Sequence, residues 1–353
     1  MNRKVLDVLI LIVLLTVAAW TQPHKAPEFN SDAVWIDTGG KAPHSIKGYR
    51  GHVLLLDFWE YTCINCIRDF AVLKRWYDKY HAYGFEVVGV HFGEFPMGFS
   101  VDNVRMAARR FQLPWPVVAD LNGSIWTSYK CQSWPTRDLV DASGDIVTRV
   151  EGENGNRALE ERIRVLLMIA HPEAGKVPLD PAEDAFAPRC GVTTHEAYVG
   201  NYLGSGHGAL ENSKGYHDGS VTEYKAEHEP SDGRVMFSGK WRTDREGVTS
   251  AGSQDEAVHR YHARSVYAVL SVENPKKPVR VYLKQDDGSL KQNEAGVDVR
   301  FDSLGSYVDV SEPRMYYLVQ NPSFGSHLLT LEPQGKNLTL HSFTYGNDCQ
   351  QKF

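Results

Sequence analysis

The chain has 353 residues, 42% hydrophobic and 23% charged, with a formal net charge of −6. That is ordinary globular composition with room for about two domains, and the absence of any Lys/Arg-rich run argues against a nucleic-acid partner. Five cysteines are too few for a disulfide framework, so the question is what individual cysteines do.

In chain order, Arg3 and Lys4 form a short basic region ahead of the apolar run Val8 to Trp20, broken only by Thr16. Val17-Ala18-Ala19 offers small residues to a signal peptidase. The run is short of the ~20 residues a bilayer span needs. Residues 1–20 are expected to be a signal peptide or, uncleaved, an inner-membrane tether through residues 5–20; a buried N-terminal helix is the alternative. Either form of export puts the protein in the periplasm or another extracytoplasmic space, where cysteine pairs meet oxidised substrates. Residues 21–32, polar and Pro-containing, form a spacer.

From 33 to 171 strands and helices alternate. Val53–Phe58 is an apolar strand. Cys66–Tyr83 has Phe70, Leu73, Trp76, Tyr77 and Tyr80 at helical spacing, and Gly84 ends it. Phe85–Phe92 is a second strand, Asp102–Phe111 a second helix and Val117–Ala119 a short strand. Asn122–Tyr129 is helical. Arg137–Asp141 and Ile146–Val150 are strands joined by the turn Ala142-Ser143-Gly144-Asp145, and Ala158–Ile169 is a last amphipathic helix. This order predicts an α/β domain with one mixed central sheet and helices on both faces. Residues 172–189, rich in proline and acids, read as a linker. From 190 to 353 short alternating strands recur: Val235–Trp241, Ala257–His262, Val266–Val272, Val279–Lys284, Val297–Phe301, Arg314–Val319, His327–Leu331 and Leu338–Thr344. They predict an all-β sandwich or jelly roll.

The decisive motif is Cys63-Ile64-Asn65-Cys66, directly after the first strand. A helix opening there puts Cys63 at its N-terminus, where free N–H groups and the dipole favour a thiolate. Two cysteines three apart lie one helical turn from each other. Cys63 then attacks a partner disulfide and Cys66 resolves the mixed intermediate.

With strand, CxxC, helix and hairpin placed, the first domain resembles the thioredoxin superfamily, in its TlpA-like branch. Asp57-Phe58-Trp59-Glu60-Tyr61-Thr62-Cys63-Ile64-Asn65-Cys66 is similar to the C-terminal region of DipZ-type proteins. His91 followed by Glu94-Phe95, Trp134-Pro135 and Gly152-Glu153 extend the resemblance. The β-rich part resembles the carbohydrate-binding-module-like sandwich that follows thioredoxin in DipZ. Tyr261-His262-Ala263-Arg264-Ser265-Val266, Val310-Ser311-Glu312-Pro313-Arg314-Met315-Tyr316 and Phe343-Thr344-Tyr345-Gly346 carry that likeness. The resemblance implies a redox-active Cys63–Cys66 pair needing no cofactor and a cis-proline at Pro135, beside Trp134, that presents backbone to a substrate strand. It further implies a buried acid at Asp57 that takes the Cys66 proton. A separate membrane electron-transfer partner of the DsbD/CcdA type would supply electrons to protein dithiols and disulfides. Glu60 departs from the commoner small or Thr residue of the pattern, and Asn65 replaces the proline thioredoxin itself carries, so the redox potential is not readable from the motif.

Other readings stand beside these. Half of a zinc site needs two further Cys or His ligands at compact spacing, and Cys131, Cys190 and Cys349 are solitary. A peroxidase needs its cysteine in a Thr-x-x-Cys setting after a proline, whereas Thr62 adjoins Cys63. Oxidase or isomerase chemistry suits the same fold. A binding protein would use the pair only as a structural disulfide. Cys131 is read as a buried free thiol, with a regulatory disulfide as the sharper reading; Cys190–Cys349 is a candidate structural disulfide bracketing the β domain. Glu60, Glu94 and Glu153 are surface residues by default, with Glu94 the one placed nearest an active face. Trp241, Tyr261, Tyr267, Tyr307, Tyr316 and Tyr317 are core aromatics or, more sharply, a carbohydrate platform. His207, His217, His259 and His262 are surface or packing residues, and no metal motif appears. The reading is an exported thiol–disulfide oxidoreductase, leaning to reductase.

Overall fold

The computed structural model describes residues 24–30, 33–36, 42–153, 155–181, 191–201 and 208–346. The expected leader, Cys190, Cys349 and His207 lie outside them. No helix among the described residues is long and apolar enough to cross a membrane.

Two compact units result, and they are not consecutive in sequence. One holds the described residues through Glu60 with Arg68–Phe92 and Val104–Pro181; the other holds Tyr61–Ile67, Gly93–Asn103 and the described residues after 182.

The first unit is built on a seven-stranded mixed sheet. Its strands are β1 (His24–Lys25), β2 (Val34–Ile36), β3 (Val53–Trp59), β4 (Phe85–His91), β5 (Val117–Ala119), β6 (Thr136–Val140) and β7 (Asp145–Glu151). Their order is β1-β7-β6-β3-β4-β5-β2. β3–β4 and β4–β5 are parallel, while β6 runs antiparallel to both β3 and β7. All seven residues of β3 are buried, as expected of a central strand covered on both faces. Leu54, Leu56 and Phe58 point into one core with Val88, Val90, Val118, Ile125 and Tyr129. The alternate residues Leu55, Asp57 and Trp59 therefore share the opposite face.

Helix α1 (Ile64–Tyr80) begins two residues earlier than its apolar spacing predicts, because Cys63 caps it. It tightens into a 3-10 turn over His81–Tyr83 and stops at Gly84, whose φ of 85° is left-handed. Gly89 in β4 has a different reason: a Cβ there would lie 2.8 Å from the Trp59 indole nitrogen, so glycine lets that ring lie against the strand. Helices α2 (Val101–Arg110), α3 (Ser124–Ser128) and α4 (Asn156–Leu167) follow. The start of the expected linker is not free: Pro172–Lys176 is a 3-10 helix, and Asp180 is held by Lys79, by Arg75 at 3.0 Å and through its N–H by Glu160 at 2.8 Å.

The second unit is built on eleven strands paired antiparallel, all of them after residue 190. Two are far longer than predicted. Glu256–Val272 is one strand rather than two, and Arg314–Pro333 likewise. The register between them slips near Ala263/Ser265 and Val266/Tyr267. A bulge flips the side-chain alternation, and in the sequence that looks like a strand end. Val297 is 88% exposed and outside any strand; Arg300–Asp302 turns back into the alternating strand Gly305–Val310, which sequence reading missed. Trp241, Tyr261 and Tyr316 lie in the apolar core of this unit. Tyr267 joins a smaller buried cluster with Ile64, Phe95, Val269 and Met315, against which Ile67, Met97, Tyr198 and Tyr317 pack.

Candidate active site

After β3 the chain turns over Glu60–Thr62 and enters α1. The Ile67 N–H donates to the Cys63 carbonyl at 3.1 Å, the first bond of the helix, which makes Cys63 its N-cap. The Cys66 N–H donates to Cys63 Sγ at 3.3 Å. That bond and the helix dipole both favour negative charge on this sulfur. The Cys66 thiol donates to Cys63 Sγ, the two sulfurs lying 2.7 Å apart. Cys63 is partly exposed and Cys66 buried. A bulky disulfide can therefore reach only Cys63 first, and Cys66 is placed to act on whatever Cys63 has bound.

Asp57 is 1% exposed, and neither carboxyl oxygen has a hydrogen-bond partner among the described residues. Burial pushes its pKa up to about 7 against the pull of Arg137. Sequence reasoning missed the second acid, Asp69, also 1% exposed. Burial raises it to about 8; Arg137 and Arg68 oppose the rise, while Asp57 and Glu153 add to it. The available signal was spacing: Asp69 sits three after Cys66 and four before Leu73, on the buried stripe of α1. Arg137, fully buried in β6 directly across from Asp57, was missed too.

These acids give the stability a pH dependence of definite sign. Folded, they keep protons that the unfolded chain, with an ordinary value of 3.8, has released. Their stabilising contribution is full below about pH 4 and falls as pH rises towards the folded values near 7 and 8. Denaturant melts between pH 4 and 8 should show this decline, and Asp57→Asn should flatten it; an unchanged slope in the variant would remove Asp57 from the account.

The Trp134–Pro135 peptide is cis, the one such bond among the described residues. The Pro135 carbonyl accepts the Gly152 N–H at 2.8 Å. Trp134 packs on Trp126 at 4.6 Å between ring centroids. Trp59 packs edge-on against Phe70 and His91, while Tyr61 and Thr62 are buried. Glu60 is no surface residue: it is fully buried, 3.7 Å from His91, because it directly follows a wholly buried strand and faces the end of β4. Glu153 is also drawn in, 3.3 Å from Arg68. Glu94 is half-buried and accepts the Tyr198 hydroxyl.

Cys131 is buried and free, and burial together with nearby Asp138 pushes its thiol up to about 12. Iodoacetamide at pH 8 should label Cys63 in the native reduced protein and Cys131 only after unfolding; native labelling of Cys131 would contradict its placement. In the second unit, His259 is a core residue stacked on Phe343 at 4.3 Å, kept neutral by burial that lowers it to about 4. His217 is exposed, and His262 lies 2.8 Å from Asp232. Tyr307 lies under the Arg280 guanidinium at 3.8 Å.

A mixed sheet of this order, a CxxC opening the helix after its central strand and a cis-proline ahead of β6 define a thioredoxin-like protein. Comparison with known proteins agrees and adds the second unit: residues 23–149 match the AhpC/TSA family and residues 194–346 the family described as "Thioredoxin like C-terminal domain". Protein DipZ of Mycobacterium tuberculosis is 30% identical over 330 residues, 91% of this chain and 43% of that protein. The chain thus spans less than half the length of this relative. Thiol-disulfide oxidoreductase ResA of Geobacillus kaustophilus is 26% identical over 173 residues, 46% of this chain and 95% of ResA. Human NHL repeat-containing protein 2 is 32% identical over 151 residues, 42% of this chain and 20% of that protein. The chain is related to the thiol–disulfide oxidoreductases along its first part and to DipZ along nearly all of it.

Proposed function

We propose that the protein is an exported thiol–disulfide oxidoreductase that reduces protein disulfides. The observation that carries this reading is Cys63 as helix N-cap, its sulfur accepting the Cys66 N–H with the Cys66 sulfur 2.7 Å away. The Cys63 thiolate attacks one client sulfur, and the other client sulfur leaves and takes a proton. Cys66 then attacks Cys63 Sγ, the client leaves as a dithiol, and Cys63–Cys66 is left as the disulfide. Two electrons pass to the client each time. Renewed turnover therefore needs a dithiol donor, for which a membrane electron-transfer partner of the DsbD/CcdA type fits. Pro135 would offer its backbone to the client strand. The placement of Trp241, Tyr261, Tyr267 and Tyr316 in buried clusters speaks against a carbohydrate platform made from them.

The test mixes the reduced protein with a disulfide-bonded protein and counts thiols by alkylation and mass. Two client thiols should appear for each Cys63–Cys66 disulfide formed. No transfer would sink the reading. The AhpC/TSA match raises a second one, peroxide reduction. Peroxide consumption faster than disulfide exchange would favour it.

A further inference from the structure

The redox pair lies in the same compact unit as the strands after residue 190, since that unit also holds Tyr61–Ile67 and Gly93–Asn103. In the strand Glu256–Val272, Val266, Ala268 and Leu270 belong to the main apolar core. Tyr267 and Val269 therefore occupy the opposite face. Their direct cross-strand partners in Arg314–Pro333 are Tyr317 and Met315. The face of a sheet turned away from its core is ordinarily polar. Here these four residues make an uncharged block instead, and the register slips directly before Tyr267, where a bulge re-aims the side chain. Ile64, which stands between the two cysteines, is 6% exposed and buried with Tyr267, Val269 and Met315. Ile67, one helical turn on, packs against the same cluster.

Phe95 and Met97 complete the seat. Their segment is tightly folded: a Cβ on Gly93 would lie 2.7 Å from the Gly98 carbonyl carbon, and Asn103 Nδ2 donates to the Met97 carbonyl at 3.0 Å. His341 backs Phe95 at 5.1 Å between ring centroids. It is itself held at both ring nitrogens, Nδ1 donating to the Glu246 carbonyl at 2.7 Å and Nε2 accepting the Ser271 hydroxyl at 2.8 Å. The capping geometry of Cys63 depends on the turn that this seat holds. The Ile67 N–H reaches the Cys63 carbonyl, and the Cys66 N–H reaches Cys63 Sγ. Helix ends fray when nothing packs on them; here two side chains of the first turn, three apart, are pinned on the sheet.

We propose that Tyr267, Val269 and Met315 are positioning residues for thiol exchange: they clamp Ile64, and through it they hold the first turn of α1 so that Cys63 Sγ stays where the Cys66 N–H and the helix end stabilise its thiolate. The proposal rests on the exchange reading of Cys63 and Cys66. Each of the three acts through Ile64 and none is a catalytic residue. The strands after residue 190 are then a working part of the redox centre rather than a separate binding module.

The test is the pH profile of Cys63 alkylation by iodoacetamide in the reduced full chain. Val269→Ala and Met315→Ala should loosen the seat and raise the midpoint by about one pH unit. Below the midpoint labelling should slow about threefold, because a roughly tenfold loss of thiolate is partly offset by the greater nucleophilicity of a more basic sulfur. Leu270→Ala is the control: it empties space on the opposite face of the same strand, in the main core. It should lower the denaturant midpoint and leave the Cys63 profile unchanged. Met315→Leu, which keeps the volume, should keep the native profile. A native profile in both alanine variants would overturn the proposal. So would an equal shift in Leu270→Ala, since general loosening of the unit would then suffice. Should Met315→Ala fail to fold, the smaller deletion Val269→Ala decides. Failure of this test would leave thiol exchange standing, whereas failure of exchange would appear as no mixed disulfide between Cys66→Ser and a disulfide-bonded client, whatever the Cys63 profile.

Discussion

Cys66→Ser should arrest the reaction halfway, with client proteins left attached to Cys63. Cys63 keeps its capping position and its exposure, so attack on a client disulfide still proceeds. The Cys66 N–H that bonds Cys63 Sγ is a backbone group and survives the substitution. Only the second sulfur is lost, and without it the adduct has no internal route to release. Turnover should fall by about 10⁴-fold or more, as for other catalytic residues that act as a unit. Cys63→Ser should lose turnover to a similar degree but form no adduct. Non-reducing gels with mass identification of the adduct separate the two variants. Equal adduct formation in both, or turnover surviving in Cys63→Ser, would reverse the roles assigned to the sulfurs.

Arg137→Met should be the most damaging single change outside the cysteines. A surface pair such as Lys25–Asp145, whose lysine is 63% exposed, contributes little because water screens it. Arg137 is different because it is itself buried and is the cation that acts on both Asp57 and Asp69. Removing one member of a buried charged group costs about 3–5 kcal/mol. The acids can escape part of that cost by binding protons. The penalty should therefore be smaller near pH 5, where both are protonated anyway, and larger near pH 8, where the native protein has begun to ionise them beside the arginine. Denaturant midpoints at the two pH values check this. A penalty independent of pH would mean that Arg137 matters through packing alone.

Much of this was legible in the residues, for reasons that differ by region. The run Leu54-Leu55-Leu56 and the helical spacing of Phe70, Leu73, Trp76 and Tyr80 encode burial directly, so β3 and α1 could be placed from the sequence. Cys63 and Cys66 followed, because their chemistry depends on local position at a helix start. Glu60, Asp69 and Arg137 did not follow. A charged residue reads as solvent-facing until its counterpart is known, and those counterparts lie 31, 68 and 68 positions away in His91, Arg137 and Asp69. In the second unit the error was of another kind. Alternation breaks at Arg264 and around Pro322, where the strands bulge yet continue, so two long strands looked like four short ones.

The central claim is that Cys63 and Cys66 form one reversible two-electron couple. It is tested most directly by equilibrating the protein against glutathione or dithiothreitol buffers and counting alkylated Cys63 and Cys66 by mass. The account predicts that both cysteines titrate together, with a potential near thioredoxin's ~−270 mV, as suits a reductase. A value near ~−120 mV would contradict the direction and mark a disulfide donor. A pair that stays locked in either state across the whole range would contradict exchange altogether.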